Sequence, residues 1–225
     1  VQNFEPRGNV LPIYFIADES GSMAPDVGQL TDGLASLLDQ IRREPFAASS
    51  VRFSVIGFNE EARLYLNIVD LRDVREMPSL IAQGATYFSA ALDMLAQVIP
   101  DNVAALKAEG YRVNRPTVFL LTDGYPMEDD EWREALDDLM SLPARPNILA
   151  FGIGDADPQI ISGLATQPGY AFIAAQGADT GRMLTEFMGS LTQSVISSGT
   201  AIGSGRGMIQ PEIPEGFVAI SADEV

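Results

Sequence analysis

Residues 11–17 (LPIYFIA) form an apolar run of strand length with no polar face for water, and the run stops abruptly at Asp18. A strand of this kind has to be buried on both sides, as in a parallel sheet covered by helices. Two later stretches repeat the condition, 117–122 (TVFLLT) before Asp123 and 147–153 (NILAFGI) before Gly154. Between them lie segments with apolar residues at three- and four-residue spacing, so strands and helices alternate along the chain. The pattern predicts a doubly wound α/β fold: a mostly parallel six-stranded sheet with one antiparallel edge strand and helices on both faces.

Taken in order, a first helix is expected over 26–43, with Leu30, Leu34, Leu37 and Ile41 on one face and Pro45 as its stop. Strands are expected at 51–58 and 62–69. The link between them, Asn59-Glu60-Glu61, is short enough only for a hairpin, so this pair should be antiparallel. A helix over 88–99 should be interrupted by Pro100 and resume at 103–109. Further helices are expected over 129–142, 158–164 and 180–196, the first with acids at its start where the helix dipole favours them. A short strand at 170–174 completes the sheet. Residues 1–198 then form one domain, 199–207 a Ser/Gly-rich linker, and 208–225 a tail expected to dock through Ile213, Phe217 and Ile220.

Composition removes whole classes of function. The 225 residues include no cysteine and no histidine, which excludes Cys/His zinc sites, thiol catalysis, Ser-His-Asp triads and disulfides. Lys107 is the single lysine and lies away from any glycine-rich loop, so a P-loop is excluded too. A net charge of −17 argues against nucleic acid and against anionic membrane surfaces. No apolar run reaches the length of a membrane span. The first residues carry neither a basic segment nor an apolar one of the signal-peptide kind, which makes the cytoplasm the expected location.

Asp18, Ser20 and Ser22 alternate directly after the first apolar strand, with Gly21 between the serines. In open α/β sheets ligands bind at the carboxyl ends of the strands, where this stretch lies. Taken alone, the same residues also suit an ordinary turn with a helix-capping serine. Two further oxygen-bearing positions fall in equivalent places: Thr86 opens a helix after Gly84, and Asp123 closes the strand at 117–122. Adjacent strand ends would bring the three loops together, giving five oxygen donors and no nitrogen or sulfur. That donor set suits a hard divalent cation, Mg²⁺ first, with Mn²⁺ or Ca²⁺ as alternatives.

With D-x-S-x-S, then T, then D in place, and with the phrases TDG and FGIG, the chain resembles the von Willebrand factor A-type family over residues 8–198. Its metal ion-dependent adhesion site has this order of residues. The resemblance implies that Ser20, Ser22 and Thr86 bind the cation directly and that Asp18 and Asp123 hold it mostly through water. The phrases LPIYFIADESGSM, GATYFSAAL, VFLLTDGYP and FGIGDADP look like the bacterial cytosolic subgroup similar to tellurium-resistance TerY proteins. That subgroup implies a stress-response setting with a protein kinase and a metal-dependent Ser/Thr phosphatase as candidate partners. Glu19 stands at the variable position of the motif and receives no ligand role. Tyr87, Tyr125 and Met127 flank the site and are candidates for a partner-binding rim, with packing on their own helices as the competing role. Asp155 and Asp157 suit a turn and cap before Pro158.

The expected function is a non-catalytic module that presents one cation to an acidic residue of a protein partner. The alternative class is a metal-dependent hydrolase or phosphotransferase using Asp18. Phosphoaspartate enzymes of that kind place a second Asp where this chain has Ser20, and no general base stands out.

Overall fold

The computed structural model describes residues 7–206 and 211–220. Among the described residues, eight strands form one sheet: β1 (Asn9–Asp18), β2 (Val51–Phe58), β3 (Ala62–Val69), β4 (Arg112–Val113), β5 (Thr117–Thr122), β6 (Asn147–Gly152), β7 (Ala171–Ala174) and β8 (Phe217–Ala219). Their spatial order is β3-β2-β1-β5-β6-β7-β8, with β4 beside the start of β1. Pairing is parallel from β2 through β7 and antiparallel at both edges, β3 on β2 and β8 on β7. The six expected strands are all present. The two additional ones are a two-residue bridge and a three-residue edge, both shorter than any alternating pattern can reveal.

The chain winds from β1 to β2 and β3 on one side, then crosses back to β5, β6 and β7 on the other. The reversal falls between β1 and β5, whose registers end together at Ala17 opposite Leu121. A crevice at such a switch point is the usual ligand position of an open α/β sheet.

Among the described residues, six α-helices cover the sheet: α1 (Val27–Ile41), α2 (Pro45–Ser49), α3 (Phe88–Ala108), α4 (Trp132–Ser141), α5 (Pro158–Leu164) and α6 (Thr180–Gly203). The alternation of β1 divides the core in two. Ile13, Phe15 and Ala17 join α1 and α6 on one face, while Tyr14 and Ile16 join α3, α4 and α5 on the other. On the first face Phe151 stacks on Phe172 at 4.8 Å and meets Phe187 of α6 edge-on at 4.9 Å. Burial on both faces explains why the central strands carry almost no polar residues.

Three expectations about helices need correction. Helix α3 runs through Pro100 without a break, because contacts along its buried face outweigh the one lost backbone bond. Helix α4 starts at Trp132 rather than at 129; of the acids before it, Asp130 serves another helix, described below. Helix α6 continues to Gly203, well into the stretch expected to be a linker. Gly199 and Gly203 are there for close packing rather than flexibility. A Cβ on Gly199 would lie 2.6 Å from the Ala47 carbonyl oxygen, and one on Gly203 would lie 2.6 Å from Ser50 Oγ.

Past α6, residues 211–220 return along its surface. Ser190 Oγ donates to the Glu212 carbonyl at 2.6 Å, and Glu212 N donates to Ser194 Oγ at 2.8 Å. Phe217 is buried beside Phe151, and Ile220 packs partly on the opposite core. Ile213, expected to dock, is 58% exposed; the neighbouring Pro214 is buried in its place. The remainder of the expected linker and tail, 207–210 and 221–225, lies outside the described residues.

Candidate metal centre

Strand β1 delivers Asp18 to the end of the sheet as a fully buried side chain. Both of its oxygens are engaged: Oδ1 accepts from Ser20 N at 2.8 Å and Oδ2 from Thr122 Oγ1 at 2.5 Å. Thr122 also accepts from Gly124 N at 3.1 Å, which ties the turn after β5 to the turn after β1. Ser20 and Ser22 flank Gly21 in a short 3-10 turn, and their hydroxyls are 3.0 Å apart. Ser22 Oγ then donates to Asp123 Oδ1 at 2.8 Å. Four of the five candidate residues are therefore linked by hydrogen bonds.

Thr86 arrives on a third segment. Gly21 N donates to the Gly84 carbonyl at 2.9 Å, and Met127 N donates to the Thr86 carbonyl at 3.1 Å. The loop is thus tied to both strand ends. Gly124 sits where the three segments meet. A Cβ there would lie 3.2 Å from Thr86 Oγ1 and 3.9 Å from both Asp18 Oδ2 and Ser22 Oγ. The glycine leaves a small space bordered by oxygen atoms from all three loops.

Both acids of the site are withdrawn from water to a large degree. Burial pushes the Asp18 carboxyl above its usual range. Burial first, and then the negative charge of Asp18, push Asp123 up to about 6 against the opposing bond from Ser22. No ion pair among the described residues involves either acid. Nor do the described residues hold a cluster of three or more carboxylate, imidazole or thiol groups that could bind a metal. The donors are two carboxylates and three hydroxyls, a set that fits a hard divalent ion and offers nothing to a soft one. The engagement of Asp18 also bears on the hydrolase alternative. A carboxylate with no exposure and both oxygens hydrogen-bonded is poorly placed to attack a substrate.

Around this centre, Tyr125 and Met127 are 55% and 44% exposed. Tyr87 is half-buried, and its hydroxyl donates to Asp129 Oδ1 at 3.0 Å. The acidic run at 128–131 forms a turn. Asp130 accepts from Phe88 N at 2.7 Å and Ser89 N at 3.2 Å, so it caps α3 from across the site and braces the helix that follows Thr86. Asp157 caps α5 through Gln159 N, as expected of it.

Two contributors escaped sequence reasoning. Thr122 reads simply as the last residue of an apolar strand, yet it joins Asp18 to the β5 turn. Glu19, at the free position of the motif, is 1% exposed and accepts hydrogen bonds from Tyr65 and from the Ile81 amide. A signal for Glu19 was present in Gly57, a glycine inside a β-rich run, which often marks a close approach. A Cβ on Gly57 would lie 2.2 Å from Glu19 Oε2.

The family profile described as von Willebrand factor type A domain matches residues 13–186. Among solved structures, the open conformation of the pilus adhesin SpaC from Lactobacillus rhamnosus GG superimposes with a TM-score of 0.66 at 16% identity, covering 86% of this chain and 31% of that one. Proximal thread matrix protein 1 from the mussel byssus, with a zinc-occupied MIDAS motif, gives 0.59 at 18% identity, covering 84% and 46%. A von Willebrand factor type A protein from Catenulispora acidiphila gives 0.57 at 17%, covering 84% and 43%. The chain thus spans between about a third and a half of the length of these structures, and at such identities the likeness is one of fold. No curated protein sequence matches significantly. With the family profile spanning most of the sheet and both strand ends of the site, the chain belongs to the von Willebrand factor type A domain family.

Proposed function

We propose that this domain is a non-catalytic protein-binding module that works through one divalent cation, Mg²⁺ in preference to Mn²⁺ or Ca²⁺. What supports this is that Thr86, Asp18 and Ser22 border the space left by Gly124, while Ser20 and Asp123 are hydrogen-bonded to Ser22. Ser20, Ser22 and Thr86 are the direct donors, and Asp18 and Asp123 hold the ion mostly through water. A cation there supplies a positive centre for an incoming carboxylate, because three of its donors are neutral. Thr122 and the Ser20 amide hold Asp18 still, and Ser22 does the same for Asp123. Tyr125, Met127 and Tyr87 provide the rim on which the partner rests. The zinc-occupied MIDAS of the byssal matrix protein, on the same fold, supports a metal at this place.

The sequence phrases shared with the tellurium-resistance subgroup extend the proposal to a cytoplasmic bacterial stress system, with a protein kinase or a Ser/Thr phosphatase as the partner class. The test is capture of the partner from the native host with and without chelator, followed by exchange of its candidate Asp or Glu for Ala. The module should lose the partner both on chelation and on that exchange. Full affinity after both would show that the cation plays no part in recognition.

A further inference from the structure

We propose that Glu19 is a positioning residue of this centre: its buried carboxylate pins the segment that delivers Thr86. The inference rests on the metal proposal above and adds a residue that the motif leaves free. Glu19 Oε1 accepts from Ile81 N at 2.7 Å and from the Tyr65 hydroxyl at 2.8 Å. The Glu19 carbonyl accepts from Gln83 N at 2.7 Å, while Glu19 N donates to the Phe58 carbonyl at 2.7 Å. One residue thereby joins the end of β1 to β2, to β3 and to the stretch 81–83, three residues short of Thr86. Asn59 reinforces the hold, its side-chain amide donating to the Gln83 carbonyl at 3.1 Å.

Stability alone does not account for a carboxylate here. It is 1% exposed, and no ion pair among the described residues includes it. Burying a carboxylate without a counter-charge is costly, and an apolar side chain would fill the volume more cheaply. The local structure is also arranged to admit it, since any side chain at Gly57 would collide with the carboxylate. What the carboxylate provides is a strong acceptor for two donors on separate segments, one of which leads directly into the Thr86 loop. Removing residues that orient metal donors typically costs about 10- to 100-fold in affinity.

The test uses the full chain, with Mg²⁺ titrated by calorimetry and amide hydrogen exchange measured on the metal-free protein. Glu19→Ala should weaken Mg²⁺ binding by between about 10- and 100-fold. It should also expose the Ile81 and Gln83 amides to exchange while Leu149, deep in β6, keeps wild-type protection. Glu19→Gln, which retains an acceptor in the same place, should recover part of both losses. Tyr65→Phe should show a smaller loss in the same direction. Unchanged affinity in Glu19→Ala overturns the proposal, as does a loss of affinity accompanied by faster exchange throughout the sheet. If Glu19→Ala does not fold, wild-type affinity in both Glu19→Gln and Tyr65→Phe overturns it. A wild-type protein that binds none of Mg²⁺, Mn²⁺ and Ca²⁺ sinks the metal proposal itself, and this one with it.

Discussion

The carboxyl of Asp123, pushed from an ordinary value of 3.8 up to about 6 by burial and by Asp18, links the site to pH. In metal-free protein the folded form holds this proton more tightly than the unfolded chain does. Its stabilising contribution is therefore complete below about pH 4 and is lost as pH rises through about 6. In the presence of chelator, wild type should lose stability relative to Asp123→Asn over that window, measured by urea unfolding; parallel pH curves would contradict the assignment. Metal competes for the same oxygens, so Mg²⁺ affinity should rise as pH passes upward through about 6. Gly124→Ala tests the space rather than the charge. Its methyl group would stand 3.2 Å from Thr86 Oγ1, so cation affinity should fall by about 10-fold while unfolding free energy shifts by less than about 1 kcal/mol. A variant that binds normally would mean that the ion does not use this space.

Among the elements, α6 shows most clearly how composition can mislead. The Ser/Gly-rich stretch 199–207 suggests a flexible linker, but Gly199 lies against the backbone of α2 and Gly203 against Ser50 and Phe46. Spacing within one segment cannot reveal a partner helix brought up by the fold. Gly199→Ala separates the two effects. Helix propensity alone favours alanine by about 1 kcal/mol, whereas the clash with the Ala47 carbonyl, which cannot swing aside, costs about 1–3 kcal/mol. The clash should win, and the variant should melt at a lower temperature; a higher one would show that α2 yields easily. The tail was legible only in part. Phe217 is buried as expected of it, but Ile213 is exposed and Pro214 is buried in its place. Phe217→Ala should cost about 3 kcal/mol, the lower end for a buried aromatic, read by thermal or urea unfolding. A neutral result would mean that β8 adds nothing to the stability of the sheet.

At the scale of the whole molecule, the fully apolar strands made the fold legible, since β1, β5 and β6 can be satisfied only between two helical layers. The same logic located the loops of the candidate centre, because Asp18 and Asp123 close neighbouring strands and Thr86 precedes α3. The bracing around them was not legible. Asp130 capping α3, Thr122 holding Asp18 and Glu19 reaching Ile81 are contacts between segments far apart in sequence, and none leaves a periodic trace. The overall charge of −17 bears on the partner. An acidic partner is repelled at long range, but surface charge is largely screened beyond about 8 Å at physiological salt, whereas a carboxylate bonded to a divalent ion is not. Added salt should therefore speed association or leave it unchanged, as stopped-flow mixing at increasing NaCl can show; marked slowing would point to attraction between opposite net charges instead. The central claim is that five oxygens from three loops bind one hard cation. The most direct measurement is calorimetric titration of Mg²⁺ into metal-stripped wild type and into Thr86→Ala, which removes the donor carried by the loop before α3. The account predicts a single saturable site in the wild type and no saturable binding in the variant. Equal binding in the two proteins would contradict it.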